Sequence, residues 1–208
     1  KVPVSREQLM ASGGLTFTQR PVATHWVSPG RDMGAVVDLT KSIARLRIGA
    51  FNGGGDFTGD TDEGKLYSAR AEVVIGDADA YQTFGAVEGY TLGVGVDGYA
   101  NSTRAVGENG AGADLLFRMR GLAFLAEVRF VQVAPSETLS VVPGVLTETE
   151  RQGATIQAGY TLGAFEPALR YAILDDNVSI DDTGDVAELQ GGVTYHSSED
   201  RLRAGLGY

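Results

Sequence analysis

The chain has 208 residues, a formal net charge of −10, 29 glycines, 6 prolines and no cysteine. The negative balance speaks against a nucleic-acid partner, which needs a basic surface to neutralise phosphates, and the lack of cysteine removes disulfides, zinc thiolates and thiol chemistry. No stretch approaches the roughly 18 uninterrupted apolar residues of a membrane helix.

Residues 1–31 show no alternation. Lys1-Val2-Pro3-Val4 has neither a start Met nor an apolar h-region, so it does not read as a signal peptide. A short helical turn fits 5–10, and Leu9, Met10, Leu15, Phe17 and Trp26 are apolar residues that need cover. Their length without strand character predicts a segment over 5–28 that turns inward and narrows a lumen.

From residue 33 onward the pattern changes to period 2. In the stretch 42–52 one parity reads Ala44, Leu46, Ile48, Ala50 and the other Ile43, Arg45, Arg47, Gly49, which is a strand with two unlike faces. The same test predicts strands at 33–40, 43–52, 65–76, 91–100, 112–120, 122–133, 153–162, 165–174, 187–196 and 201–208. Most have about the 9–11 residues of a tilted membrane-crossing strand. Tight turns are expected at 40–42, 121, 162–164 and 197–200, and long loops at 53–64, 102–111, 134–151 and 175–186. Short turns at one end and long loops at the other are the asymmetry of outer-membrane barrels. The connection 77–90 departs from it, being long on the short side. Loop parity makes the first and last strands of a complete barrel fall outside 1–208, so a single barrel domain incomplete at both ends is expected, with 1–31 as an extracellular loop folded inward.

Apolar parity alone defines the outward set, which includes Val37, Leu46, Ile48, Val96, Phe130, Ile156, Leu169 and Leu189 and contains no charge. The opposite parity collects Arg45, Arg47, Arg70, Arg118, Arg120, Arg129, Arg170, Arg201 and Arg203 with Asp38, Glu72, Asp97, Asp114, Glu127, Glu166 and Glu188. An Arg facing lipid at mid-membrane would cost roughly 2–4 kcal/mol. A soluble sandwich would show the same alternation with its apolar face buried. Strand length, loop asymmetry and aromatics near strand ends (Tyr67, Phe130, Phe165, Tyr195, Tyr208) select the barrel. Pro167, an outward residue with no ladder donor, predicts a bulge.

The run Lys1-Val2-Pro3-Val4-Ser5-Arg6-Glu7-Gln8-Leu9, then Leu15-Thr16-Phe17 with Arg20, and Pro29-Gly30-Arg31-Asp32-Met33-Gly34, resembles the phosphate-selective porin family of Gram-negative outer membranes, the O and P type. Gln157-Ala158-Gly159-Tyr160 and Phe165-Glu166-Pro167-Ala168-Leu169-Arg170-Tyr171 look like its C-terminal half. The resemblance implies a sixteen-stranded barrel, commonly a homotrimer, set in outer-membrane lipid and lipopolysaccharide. It also implies an inward loop, here carrying Lys1, Arg6, Arg20 and Arg31, and arginines along the path of anions. Only Lys1, Lys41 and Lys65 are lysines.

The nine inward arginines read in two ways. Guanidinium groups could line a pore and favour anions such as phosphate, or they could pair across the lumen, Arg70 with Glu72, Arg129 with Glu127 and Arg118 with Asp114. The acidic residues Asp56, Asp60, Asp62, Glu63 and Asp175, Asp176, Asp181, Asp182, Asp185 fit no EF-hand spacing and read as solvated loops. Gly93-Val94-Gly95-Val96-Asp97-Gly98 matches a dinucleotide fingerprint, but alternation runs through it, so it reads as a strand with small inward residues. His25 and His196 have no serine motif beside them, and neither an enzyme nor a cofactor is expected. The sequence thus predicts an all-β transmembrane antiparallel barrel for passive diffusion of small hydrophilic solutes. A closed barrel serving as an anchor or scaffold in the envelope is the alternative.

Overall fold

Ten antiparallel strands follow one another in chain order across a single sheet in the computed structural model, each bonded to its sequence neighbour. The structure describes residues 1–55, 64–76, 79–102, 106–135, 148–179, 184–196 and 203–207. The strands are β1 (Gly34–Lys41), β2 (Ala44–Phe51), β3 (Leu66–Gly76), β4 (Val87–Ser102), β5 (Val106–Arg120), β6 (Leu122–Pro135), β7 (Thr149–Tyr160), β8 (Phe165–Asp175), β9 (Val186–His196) and β10 (Arg203–Gly207). Ahead of them lie two short helices, α1 (Arg6–Leu9) and α2 (Val22–Trp26), and a 3₁₀ turn at Ser12–Gly14. The fold is all-β and the sheet is not closed: among the described residues β1 and β10 do not pair.

The tight turns have backbone reasons. Ser42 (φ 53°) and Ile43 link β1 to β2. Arg120 (φ 54°) and Gly121 link the paired Met119 and Leu122, and Gly163 (φ 62°) sits inside the Leu162–Phe165 bridge. Positive φ costs an L-residue little only at such turn positions. The expected turn at 197–200 lies outside the described residues.

Two expectations are corrected. The long loop at 102–111 is a short connection instead, because the β4–β5 ladder runs out to Ser102↔Gly107. The stretch hides its strand character because its small residues serve a ring: a Cβ on Gly110 would stand 2.2 Å from Cε1 of Tyr99. There is also no bulge at Pro167. It pairs in register with Val193, while the ladder toward β7 ends at Gly159↔Ala168, so the missing donor is not needed there.

Burial alternates along the strands in the sense opposite to a water-soluble sandwich. In β3 the buried residues are Leu66, Ser68, Arg70 and Glu72, whereas Tyr67, Ala69, Ala71 and Val73 are exposed. β8 repeats this, with Glu166, Arg170 and Leu174 inside and Phe165, Leu169, Tyr171 and Ile173 outside. Leu189 and Leu169 are 69% and 63% exposed, while Arg70, Arg129 and Arg170 are 1% exposed.

The cover of the charged face comes from residues 1–31. Arg6 and Glu7, adjacent in sequence, reach Glu72 on β3 and Arg170 on β8. Those strands would stand about 24 Å apart in a flat sheet at about 4.8 Å per strand, so the sheet curls around the segment. Val2, Val4 and Val27 close one end of this interior against Phe51, Leu66, Tyr99, Val131 and Leu174.

Candidate functional site: the charged inner face

The centre of the inner face is Asp114 on β5. Its carboxylate takes Nε of Arg6 at 2.6 Å and both terminal nitrogens of Arg70, at 2.6 and 3.1 Å. Arg70 also reaches Asp97 on β4 at 3.0 Å and Glu72 at 3.4 Å. Asp97 is shared in turn: its other oxygen takes Nη2 of Arg129 at 2.8 Å, and it accepts the backbone N–H of Ser5 at 3.0 Å. Charge-assisted bonds of this kind are short and geometrically demanding.

Glycine makes the room. A Cβ on Gly95 would lie 2.3 Å from Nη2 of Arg70, one on Gly112 2.6 Å from Nη1 of Arg129, and one on Gly93 3.1 Å from the Arg6 guanidinium. Gly93 and Gly95 are thus seats for guanidinium groups on a strand, in agreement with the reading of small inward residues.

A second wall comes from the connection between β3 and β4, whose residues 79–86 fold over the inner face. The Tyr81 hydroxyl meets Glu72 at 2.6 Å and accepts from Arg47 at 2.8 Å, and its ring lies 5.3 Å from the Arg6 guanidinium carbon and 5.0 Å from that of Arg47. Burial raises the Tyr81 phenol above its ordinary range, with Arg70 opposing. The backbone N–H of Gly85 donates to Glu166 at 2.7 Å, and the Phe84 ring stacks on His196 at 5.5 Å. The two inner segments meet at Thr16 and Thr83, whose hydroxyls are 3.0 Å apart, with Thr83 N–H donating to the Gly14 carbonyl at 3.0 Å. This accounts for the surplus length of 77–90.

The predicted arginines fall into distinct places. Arg45, Arg47, Arg70, Arg118, Arg129 and Arg170 lie on the inner face, and each has protein partners. Arg45 and Arg47 bind Asp38, and Arg170 binds Glu7 at 3.2 Å and the Gln19 carbonyl at 2.8 Å. Arg70 pairs with Glu72 as the spacing suggested, but two other expected pairs are replaced. Arg129 takes Asp97 and the Val27 carbonyl instead of Glu127. Arg118 takes the carbonyls of Asp79, Phe84 and Gly85 instead of Asp114. In both cases an inner segment supplies acceptors that strand spacing alone does not reveal. Arg120 is exposed in its turn. Arg201 and the side chain of Arg203 lie outside the described residues.

On the N-terminal segment, Arg6 is fully buried, and Arg20 donates to the carbonyls of Glu7 at 3.3 Å and Met10 at 2.9 Å. Arg31 is exposed. Lys1 donates to the carbonyls of Leu9 and Met10; burial, with Arg20 and Arg31 nearby, lowers its ammonium pKa. Glu7 and Tyr81 were not singled out from the sequence, although both are central here. The surplus of 77–90 was the one signal for Tyr81, and Glu7 had none beyond its place in an uncovered segment.

Among the described residues the buried charges balance. Six buried arginines (Arg6, Arg47, Arg70, Arg118, Arg129, Arg170) face six buried acids (Glu7, Glu72, Asp97, Asp114, Glu127, Glu166). Among the described residues no group of three His, Asp or Glu side chains could hold a metal ion. His196 lies 3.1 Å from Glu166, which also accepts from the Thr161 hydroxyl at 3.1 Å. The Thr161 hydroxyl therefore bonds the acid and not the imidazole. Asp56, Asp60, Asp62, Glu63, Asp181 and Asp182 lie outside the described residues. No family model, curated protein or solved structure matches this chain.

Proposed function

We propose that the sheet is the wall of an outer-membrane β-barrel and that small hydrophilic solutes diffuse along its charged interior past residues 1–31. The observation that carries this reading is the inverted burial, with an uncharged, apolar face exposed on successive strands and a charged face inside. Soluble monomers rarely expose an apolar patch beyond a few hundred Å², whereas lipid demands such a face. The aromatics fit the same geometry. Phe130 and Leu122, the latter paired with Tyr160, are eight residues apart on β6. That is about 27 Å along the strand, or about 21 Å of height at a tilt of about 40°, against an apolar band of about 25 Å.

The balance of six arginines and six acids favours weak charge selection over strong anion preference. A second reading, a closed barrel serving as an envelope scaffold, draws on the engagement of all six buried arginines by protein groups. Planar-bilayer recording decides between them. Stepwise conductance is expected for diffusion, and reconstituted protein that inserts without steps would leave only the scaffold. Extraction into buffer without detergent would remove both.

A further inference from the structure

Two buried acids, Glu7 and Glu127, meet where α1 packs on β6. The backbone N–H of Glu7 stands 3.5 Å from Oε2 of Glu127. Oε2 of Glu7 and Oε1 of Glu127 are both buried without a hydrogen-bond partner. Glu7 has one ion pair, to Arg170, while Glu127 has none among the described residues. Two anions cannot both rest in so dry a place at little cost, because the second must be desolvated against the field of the first.

We propose that the Glu7–Glu127 pair is a proton-binding site that latches residues 1–20 against the inner face, and that loss of its proton unseats them. Every neighbouring element bears on the balance. Arg170 on β8 opposes the charge of Glu7, and so does Arg20 of the segment itself, while Glu127 on β6 and Glu188 on β9 add to its strain. Arg129, the cation nearest Glu127 in sequence, is committed to Asp97 and the Val27 carbonyl, and the acids Asp97 on β4 and Asp114 on β5 stand on the same side. Burial pushes the Glu7 carboxyl up to about 8, in the same direction as the geometry. When the proton leaves for solvent, the pair carries two negative charges among guanidinium groups that are shared with other acceptors, Arg170 with the Gln19 carbonyl, Arg20 with the Glu7 and Met10 carbonyls and Arg129 with Asp97, and the cheapest relief moves Glu7 into water. Ser5 strengthens the consequence: it holds φ 51° as the cap of α1, a conformation that the docked contacts must sustain. Unseating Glu7 releases Arg6 with it.

The latch is a property of the folded chain in detergent and does not require conduction. Its consequence, a passage that widens as pH rises, rests on the diffusion reading. The chain has no cysteine, so nitroxide labels at Thr18→Cys and Met119→Cys, both exposed positions, report the distance between segment and sheet. At about pH 6 a single narrow distance distribution is expected. By about pH 9.5 most molecules should show a second, broader one, with a midpoint near the value of about 8 set for Glu7. Glu7→Gln should hold the narrow distribution at both pH values, and Glu127→Gln, which relieves the repulsion but not the burial of Glu7, should shrink the high-pH population; if one variant does not fold, the other decides. A parent distribution unchanged by pH, a change that survives in folded Glu7→Gln, or one undiminished in folded Glu127→Gln overturns the latch. A distance change without conductance steps would sink the diffusion reading and leave the latch standing.

Discussion

Nε of Arg6 donates to Oδ1 of Asp114 at 2.6 Å across 108 residues of chain, and the same carboxylate holds Arg70. One acid on β5 therefore fastens the inward segment to the wall. Removing it leaves two buried guanidinium groups facing each other with fewer acceptors. Asp114→Ala should destabilise the folded chain by about 3–5 kcal/mol, read as a shift in the urea midpoint in detergent. A loss under about 1 kcal/mol would mean that Asp97 and Glu72 suffice.

Gly95 gives a steric test. Because its Cβ would fall 2.3 Å from Nη2 of Arg70, Gly95→Ala must push the guanidinium off Asp114. Overpacking of this kind costs about 1–3 kcal/mol. Gly98, whose Cβ would meet nothing closer than the Gly110 carbonyl oxygen at 3.3 Å, serves as the comparison, and Gly98→Ala should cost less. Equal losses at the two sites would remove the seat assigned to Gly95.

The outer surface was legible from sequence because lipid-facing or not, a strand repeats every two residues, and Leu46, Ile48, Val96 and Leu169 stand exposed where parity put them. Direction along the chain was legible too, since ten alternating runs in series joined by short turns leave a meander as the simplest order. The partners of the arginines were not. Arg129 finds the Val27 carbonyl 102 residues away, and Arg118 finds Phe84 and Gly85 on a connection with no repeat to read. Inner segments dock through carbonyls and shape, and neither has a period. The β4–β5 extension was missed for a related reason: Gly107 and Gly110 carry no side chain to alternate.

Leu169→Arg separates membrane wall from soluble sheet. Leu169 is 63% exposed on the outward face of β8. In lipid the substitution should cost roughly 2–4 kcal/mol if the residue lies near mid-membrane, and refolding into vesicles should fall accordingly. In an aqueous sheet the same change would be neutral and would raise solubility. Folding yields in vesicles, measured beside Leu169→Ala to discount lost apolar area, carry the distinction.

The pH dependence of stability follows from Glu7. Its folded carboxyl is pushed up to about 8 by burial, against an ordinary value of 4.5, so between these values the folded chain holds a proton that the unfolded chain has released. Stability from this group is fully present below about pH 4.5, declines as pH rises toward 8, and is lost above it. The slope approaches about 1.4 kcal/mol per pH unit if no other group compensates. Other carboxylates titrate in the same chain, so the difference between parent and Glu7→Gln isolates the term. Urea unfolding of both proteins at about pH 5, 7 and 9 should show the parent losing ground to the variant at each step up to about 8 and no further beyond it. Parallel curves would mean that Glu7 is ionised in the folded state and that Arg170 alone neutralises it. The parent gaining on the variant with rising pH would mean that the Arg170 ion pair outweighs desolvation, and the sign of the burial argument would be reversed.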